Sequence, residues 1–498
     1  MRKATAELPA TLFSGATVRR WEPLLAKQHG VLMWSLMEEA GQQAWQAFHQ
    51  RWPQAVSLAV VCGRGNNAGD AYVLARSALK DGLQVRVLQM QPERPLKGDA
   101  KIAQQQYLDA GGHIENAEPG RLAGVSHIVD GLLGTGFEGE LRSDFTRMIA
   151  AINEAPARVM SLDLPSGLNG DNGFAGDDVV SADLTVTFVG VKLGLLTGAA
   201  ASCCGDIQLV PLVIGSALAS QVRPDAMKIS YQDYRHHLKP RQADSHKGHH
   251  GRIAVIGGNH GMPGAVRLAS EAALRSGAGL VSIISRYENL PLIQAGRPEL
   301  MLWGSDIADM EVYQRVGWGQ VVLCGPGLGS GDWAFHMWRV AQNAERPLVM
   351  DADALNILAK NPCRREDWVL TPHPGEAARL LGVDNADVQR DRFKAVRDLQ
   401  KKYGGVVVLK GPGTLIFDGE TMLVAPVGNP GLATGGSGDV LSGIIASLLA
   451  QGLSLLDAAA CGVCLHGEAA DMAAEGGQRG MLASDLMPYI RQLVNPED

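Results

Sequence analysis

A chain of 498 residues exceeds what one hydrophobic core ordinarily organises and points to two or three domains. Hydrophobic residues make up 46% and charged residues 19%, an ordinary globular balance that excludes a fibrous, low-complexity or broadly disordered chain. A formal net charge of -7 offers no general attraction for nucleic acid or an anionic membrane, so neither is an expected partner, and phosphates must be drawn by local loops.

In chain order, Leu36-Met37-Glu38-Glu39-Ala40-Gly41 precedes the apolar run Ala59-Val60-Val61-Cys62, which predicts a buried strand. Gly63-Arg64-Gly65-Asn66-Asn67-Ala68-Gly69-Asp70-Ala71 follows as a glycine loop, and Tyr72 to Leu79 reads as a helix. Strand, glycine loop and helix in that order put a phosphate at a helix N-terminus. The Asn66-Asn67 pair and the lack of a Walker lysine argue against an NTPase loop. Ile128-Val129-Asp130-Gly131-Leu132-Leu133-Gly134-Thr135-Gly136 and Val159-Met160-Ser161-Leu162-Asp163-Leu164-Pro165-Ser166-Gly167 each end a predicted strand in an aspartate ahead of a glycine turn. Sites in open α/β sheets gather at the carboxyl ends of strands, so Asn67, Asp130, Asp163 and Ser166 are expected to converge, with oxygens that suit a hard cation. Each alone would be a cap or turn former; the set carries the expectation. The apolar region Val179 to Gly205 is broken by Asp183, Lys192 and glycines, which argues against a membrane span.

A polar connector with Arg223-Pro224-Asp225 and the segment Tyr231 to Lys247 separates this half from the strand Ile253-Ala254-Val255-Ile256 and sets domains at 1–222 and 223–498. Gly257-Gly258-Asn259-His260-Gly261-Met262-Pro263-Gly264-Ala265 and Arg275-Ser276-Gly277-Ala278-Gly279-Leu280-Val281 come next, then the strand Val321 to Cys324 opening into Gly325-Pro326-Gly327-Leu328-Gly329. Asp351-Ala352-Asp353-Ala354-Leu355-Asn356 follows, and in Leu370-Thr371-Pro372-His373-Pro374-Gly375-Glu376 two prolines fix the backbone around a histidine expected in a site rather than a core. Val406 to Leu409 ends in Lys410-Gly411-Pro412-Gly413-Thr414, which offers a cation, bare amides and a hydroxyl at one sheet end. Gly431 to Gly443 then combines Gly435-Gly436-Ser437-Gly438, a phosphate-shaped backbone, with Asp439 at the start of a helix over Val440 to Leu449. A carboxylate there can cap the helix and take a proton from a hydroxyl meeting a phosphoryl group. Seven scattered cysteines without a signal-peptide pattern point to a reducing cytoplasm; Cys461 and Cys464 read as helix packing rather than a zinc site.

The N-terminal series, with Thr187-Phe188-Val189-Gly190-Val191-Lys192-Leu193-Gly194-Leu195, resembles the NAD(P)H-hydrate epimerase domain over residues 10 to 215, a Rossmann-like α/β fold. By that likeness Asn67, Asp130 and Ser166 bind K+. Asn66, Asn67, Ala68, Gly69 and Asp70, the loop Gly134, Thr135, Gly136, Phe137, Glu138, Gly139 and Glu140, and Asp163 hold the substrate, with Asp163 and Lys192 as the acid/base pair. Ala68 and Ala71 stand where that family usually has glycine, and a positive φ at position 68 would cost alanine about 1 kcal/mol.

The C-terminal series resembles the ribokinase-like NAD(P)H-hydrate dehydratases over residues 250 to 490. The resemblance implies that Ala265, Gly327, Gly329, His373 and Asp439 meet the substrate, with Asp439 catalytic. Lys410, Gly411, Pro412, Gly413 and Thr414, with Gly435, Gly436, Ser437 and Gly438, would hold the nucleotide. Together the halves resemble a fused family that takes NADHX and NADPHX as substrates, uses ADP with Mg2+, and is expected as a cytoplasmic homo-oligomer. Two rival expectations stand beside it: a small-alcohol or vitamin-precursor kinase in the C-terminal half, and a non-catalytic binding module in the N-terminal half.

Overall fold

The computed structural model describes residues 7–136, 139 and 141–496, and the chain divides into two compact units, one ending at Lys228 and the other starting at Ile229. That division lies beyond the 222/223 boundary expected from sequence. The reason is a short antiparallel pairing: Met227 stands opposite Thr11, and the Lys228 N–H donates to the Ala10 carbonyl at 2.7 Å, so the first half of the connector belongs to the N-terminal unit. Its second half belongs to the C-terminal unit, where the Ile229 N–H donates to Val424 O at 2.9 Å and the Tyr231 hydroxyl to Leu493 O at 2.6 Å.

The N-terminal unit carries strands β1 (Thr11–Phe13), β2 (Ser57–Cys62), β3 (Gln84–Gln89), β4 (Ile114–Asn116), β5 (His127–Gly131), β6 (Arg158–Leu162), β7 (Leu184–Phe188), β8 (Val191–Lys192), β9 (Asp206–Val210) and β10 (Ala226–Lys228). Its main sheet has the order β4-β3-β2-β5-β6-β7-β9, all parallel. Alternation decides which side each residue covers: Leu58, Val60 and Cys62 face the layer of helices Met33–Arg51 and Asn66–Lys80, while Ala59 and Val61 face the layer holding Met148, Ile149 and Ile152. The chain leaves β2 in one direction towards β3 and in the other towards β5, which opens a crevice at the carboxyl ends of β2 and β5.

The C-terminal unit repeats the plan with β11 (Arg252–Ile256), β12 (Leu280–Ser285), β13 (Met301–Gly304), β14 (Val321–Cys324), β15 (Leu348–Met350), β16 (Trp368–Leu370), β17 (Val406–Leu409), β18 (Thr414–Phe417) and β19 (Met422–Ala425). The order β13-β12-β11-β14-β15-β16-β17 is parallel, and β18 and β19 continue it as an antiparallel meander. Here the direction reverses between β11 and β14, and the carboxyl ends of β11, β14, β15, β16 and β17 lead into the motifs that begin at Gly257, Gly325, Asp351, Thr371 and Lys410.

Two helices start earlier than their sequences suggest. Asn66–Lys80 contains the whole Asn-Asn-Ala-Gly-Asp segment, with Gly65 as N-cap, and Ser437–Ala450 contains Asp439, with Gly436 as N-cap at φ 92°. Ala68 is therefore an ordinary buried helical residue without positive φ, and its methyl carries no strain. Ala71 is accommodated by its neighbour: a Cβ at Gly131 would stand 2.6 Å from the Ala71 Cβ, so only one of the two positions can carry one. Gly131→Ala should destabilise the unit by about 1–3 kcal/mol through overpacking. Ala71→Gly in the same chain should recover most of that loss, as measured by urea unfolding.

Candidate active sites

In the N-terminal unit the crevice beyond β2, β5 and β6 gathers Asn67, Asp130, Asp163 and Ser166. Asp130, fully buried at the end of β5, accepts the Ser161 hydroxyl at 2.8 Å, the Ser166 N–H at 2.8 Å, the Ser166 hydroxyl at 2.6 Å and the Leu132 N–H at 3.2 Å. Burial pushes its carboxyl up, and these donors hold it back. The Asn67 amide donates to Leu133 O at 2.9 Å, but its own Oδ1 is buried with no hydrogen-bond partner. An orphaned amide oxygen beside a hydroxyl that has given its proton away and a single carboxylate is a donor set that fits a cation of low charge.

Asp163 follows β6 with φ 64°, a conformation costly for a non-glycine residue, and this turns its carboxylate towards Lys192 at the end of β8. Lys192 Nζ donates to Asp163 Oδ1 at 2.6 Å, Thr187 Oγ1 at 3.1 Å and Phe188 O at 2.7 Å. Asp163 Oδ2 accepts the Thr135 N–H at 3.2 Å, and a Cβ at Gly134 would stand 3.3 Å from both that oxygen and the Asn67 Cβ. The Gly134-Thr135 turn thus rests directly on the ion pair. Gly136 and Gly139 continue that loop, while Phe137, Glu138 and Glu140 lie outside the described residues. Asn66, Ala68, Gly69 and Asp70 occupy the first turns of the helix rather than a loop. Burial, reinforced by Asp163 and Glu22, pushes the Asp70 carboxyl well up. Burial likewise pushes up the carboxyl of Glu22 in helix Gly15–Gln28, with Lys192 opposing and Asp163 reinforcing.

In the C-terminal unit the central contact is again a lysine on a buried aspartate. Lys410 Nζ donates to Asp351 Oδ1 at 2.9 Å, Thr371 Oγ1 donates to the same oxygen at 2.8 Å, and Glu376 lies 3.8 Å from the ammonium. Burial alone would raise Asp351, yet the Lys410 ammonium beside it holds its carboxyl below the ordinary range; Lys410 is held up in return by Asp351 and Glu376 against its own burial. A Cβ at Gly438 would stand 3.1 Å from Lys410 Nζ, so the glycine lets the helix start close over the ammonium. Asp439 follows it. Burial, then repulsion from Asp351, pushes Asp439 up to about 7, with Lys410 opposing; burial likewise pushes Glu376 up to about 7.

The surrounding loops are tied to this centre. Asn259 N–H donates to Gly327 O at 2.7 Å and Gly329 N–H to Asp353 Oδ2 at 2.8 Å, and a Cβ at Gly327, φ 59°, would come within 3.1 Å of the Ala265 Cβ. Ala265, Gly327 and Gly329 therefore form one wall. His373 N-caps helix Pro374–Leu381: its Nδ1 accepts the Gly375 N–H at 3.0 Å and its own N–H donates to Glu376 Oε2 at 2.8 Å. Burial lowers the imidazole, and its exposed edge faces away from any core. The turn Lys410-Gly411-Pro412-Gly413-Thr414 closes on itself through Thr414 Oγ1 to Gly411 O at 3.1 Å. Ser437 Oγ donates to Leu432 O at 2.8 Å and Thr434 O at 2.9 Å, fixing the turn that contains Gly435 and Gly436. Asp439 makes no cap bond: the helix is capped by Gly436, which leaves the carboxylate available. Asp351 and Glu376 lay inside motifs but carried no expected role; an aspartate straight after the apolar strand Leu348–Met350 was the available signal.

A family model described as NAD(P)H-hydrate dehydratase matches residues 253–492, and one described as YjeF-related protein N-terminus matches residues 34–194. A bifunctional NAD(P)H-hydrate repair enzyme from Coxiella burnetii is 46% identical over 487 residues, 97% of this chain and 99% of that one. Its counterpart from Escherichia coli is 42% identical over 499 residues, 100% of this chain and 96% of that one. Among solved structures, a ribokinase-like superfamily protein from Enterococcus faecalis superposes with a TM-score of 0.51 at 30% identity, covering 54% of this chain and 94% of that one. The C-terminal unit has the ribokinase-like fold.

A carboxyl raised to about 7 in the folded state binds a proton that the unfolded chain, with its ordinary value near 3.8, releases first. Folding stability attributable to Asp439 therefore falls as pH rises from about 4 to about 7 and stays reduced above it. Asp439→Asn should melt at the same temperature as wild type near pH 4 and at a higher one at pH 8, by calorimetry.

Proposed function

The chain belongs to the family of bifunctional NAD(P)H-hydrate repair enzymes, and on that premise we propose that its N-terminal unit interconverts the R and S epimers of NADHX and NADPHX while its C-terminal unit dehydrates the S epimer with ADP. The observation that carries the reading is the pair of sites in one chain, each an aspartate–lysine ion pair at the carboxyl ends of parallel strands under a glycine turn. A vitamin-precursor kinase reading accounts for only one of them.

For dehydration, hydroxide is a poor leaving group and phosphate a good one. Asp439 takes the proton of the substrate hydroxyl as its oxygen attacks the terminal phosphorus of ADP; AMP leaves, and the ring nitrogen's lone pair then expels phosphate from the ester, with loss of a proton from the adjacent ring carbon to restore the ring double bond. An Asp439 value of about 7 suits a base working near neutrality. The Gly435 to Gly438 turn and the Lys410 to Thr414 turn are the nucleotide contacts, with Lys410 held by Asp351 as a fixed positive charge. Ala265, Gly327, Gly329 and His373 line the substrate side. Asp351, Glu376 and Asp439 gather around the Lys410 ammonium, and Mg2+ would supply further positive charge there against polyanionic ADP.

For epimerisation, Asp163 is the base, oriented by Lys192 and the Thr135 N–H. Asn66 to Asp70 and the loop from Gly134, including Phe137, Glu138 and Glu140, form the substrate contacts. Asn67, Asp130 and Ser166 would hold K+; such an ion supplies positive charge against the substrate phosphates, and the orphaned Asn67 Oδ1 is what supports it. Exposed Met301, Met310 and Tyr313 near the edge strand β13 support the expected homo-oligomer. Among the described residues no helix is long and apolar enough to cross a membrane.

With mixed hydrate epimers and ADP, the return of reduced-nicotinamide absorbance should be complete in wild type. Asp439→Asn should lower dehydration by about 100-fold or more. Wild-type turnover should rise with pH through about 7 as Asp439 loses its proton; near-normal turnover in the variant would remove Asp439 from the mechanism. Asp130→Ala should slow epimerisation and abolish its dependence on potassium while ADP-dependent consumption of the S epimer stays normal; an unchanged potassium response would remove the ion from this site.

A further inference from the structure

The turn Lys410-Gly411-Pro412-Gly413-Thr414 rests on a cation that no motif marks. Arg392, the first residue of helix Arg392–Tyr403, is fully buried, whereas Gly411, against which it packs, is exposed. Its Nη1 donates to the Lys410 carbonyl at 3.3 Å, and its Nη2 donates to the carbonyls of Leu409 and Gly413 at 3.4 Å each. A Cβ at Gly411 would stand 2.6 Å from Nη1 and 3.2 Å from Cζ, so glycine is the residue that admits the guanidinium beneath the turn.

Stability alone does not favour a cation in this place. Burial pushes the guanidinium down to about 10, and the first turn of a helix carries the positive end of its dipole. What the guanidinium does is fix peptide planes. The described peptide bonds are trans, and in a trans unit the N–H points opposite to the C=O. With the Lys410 carbonyl drawn onto Arg392, the Gly411 N–H is turned away from it, towards the exposed side of the turn. Lys410 is thereby gripped at three points: its N–H donates to Pro372 O at 2.9 Å, its carbonyl accepts from Arg392, and its Nζ donates to Asp351 Oδ1 at 2.9 Å.

We propose that Arg392 is a positioning residue of the dehydratase: through the carbonyls of Leu409, Lys410 and Gly413 it holds the Gly411 N–H and the Lys410 ammonium in place for the nucleotide phosphates. This rests on the reading given above, in which that turn contacts ADP. Arg392 acts from beneath the turn and on no wall that meets the hydrate, so it governs the affinity for ADP and leaves that for the S epimer unchanged. The planar fork is what the task requires, because a lysine ammonium keeps the charge but cannot span three carbonyls in fixed directions. An arginine that merely stabilised the fold would change the amount of active protein and not the ADP concentration that it needs.

The full chain, as wild type, Arg392→Lys and Arg392→Met, should be assayed for dehydration of the S epimer, once with ADP varied at saturating hydrate and once with hydrate varied at saturating ADP. Arg392→Met is expected to raise KM for ADP about tenfold or more, the range for losing hydrogen bonds from a charged group, with KM for the hydrate within about twofold of wild type. Arg392→Lys should fall between, with KM for ADP raised about threefold or more and the hydrate again unaffected. If Arg392→Met does not accumulate as folded protein, the same split in Arg392→Lys decides. With a wild type that turns over normally, an unmoved KM for ADP in the folded variants would overturn this inference alone. So would KM values for ADP and hydrate that rise in parallel, or a fall in kcat with both KM values unchanged. A wild type in which ADP supports no dehydration would overturn the nucleotide reading and this inference with it.

Discussion

An ammonium buried against an aspartate, once in each unit, is the contact on which both sites are built: Lys192 on Asp163 at 2.6 Å and Lys410 on Asp351 at 2.9 Å. Removing one member of such a buried pair generally costs about 3–5 kcal/mol. Each pair is reached through local backbone strain at a strand end, with φ 64° at Asp163 and φ 48° at Ala352 beside Asp351. The surrounding parallel strands and helices fix those conformations, so the regular sheet bears the cost of the irregular turn.

Around each pair the unit collects more carboxylates than the ammonium can neutralise. Glu22 and Asp70 in one unit, and Glu376 and Asp439 in the other, are all raised chiefly by burial. In the C-terminal unit the carboxylate nearest the lysine, Asp351, stays an anion and holds geometry, whereas Asp439 further out can exchange a proton. This separates the group that defines the site from the one that does its proton chemistry.

The fold was legible in the sequence because apolar runs ending in glycine turns mark carboxyl strand ends, and the candidate site residues were sought there. Asp163, Lys192, Lys410 and Asp439 all stand where those runs end or where a helix starts. Helix starts were less legible. Asn66 to Asp70 reads as a loop by composition, but the Gly65 cap and burial of Asn67 and Ala68 against the sheet draw it into the helix. The concern over Ala68 disappears with that shift, since a helical φ welcomes a methyl group. Glu22 was not legible at all: it lies in a polar helix far from any motif, and burial raises its carboxyl. Asp351 and Glu376 were visible as letters in a motif, but their roles depend on which strands are adjacent.

The meander at the end of the C-terminal sheet also bears on how that unit assembles. Strands β17, β18 and β19 are joined by short turns and pair antiparallel with their neighbours in sequence, so the turn carrying Lys410 can form from local contacts. Asp351 belongs to the parallel part, where β14, β15 and β16 each wait on a helical crossover and where β11 pairs with a strand far along the chain. The ammonium therefore meets Asp351 only where the local meander and the long-range parallel strands are both in place. Drying of the site around Lys410 is thereby coupled to completion of the sheet, and a Lys410 turn formed before that point has no Asp351 beneath it.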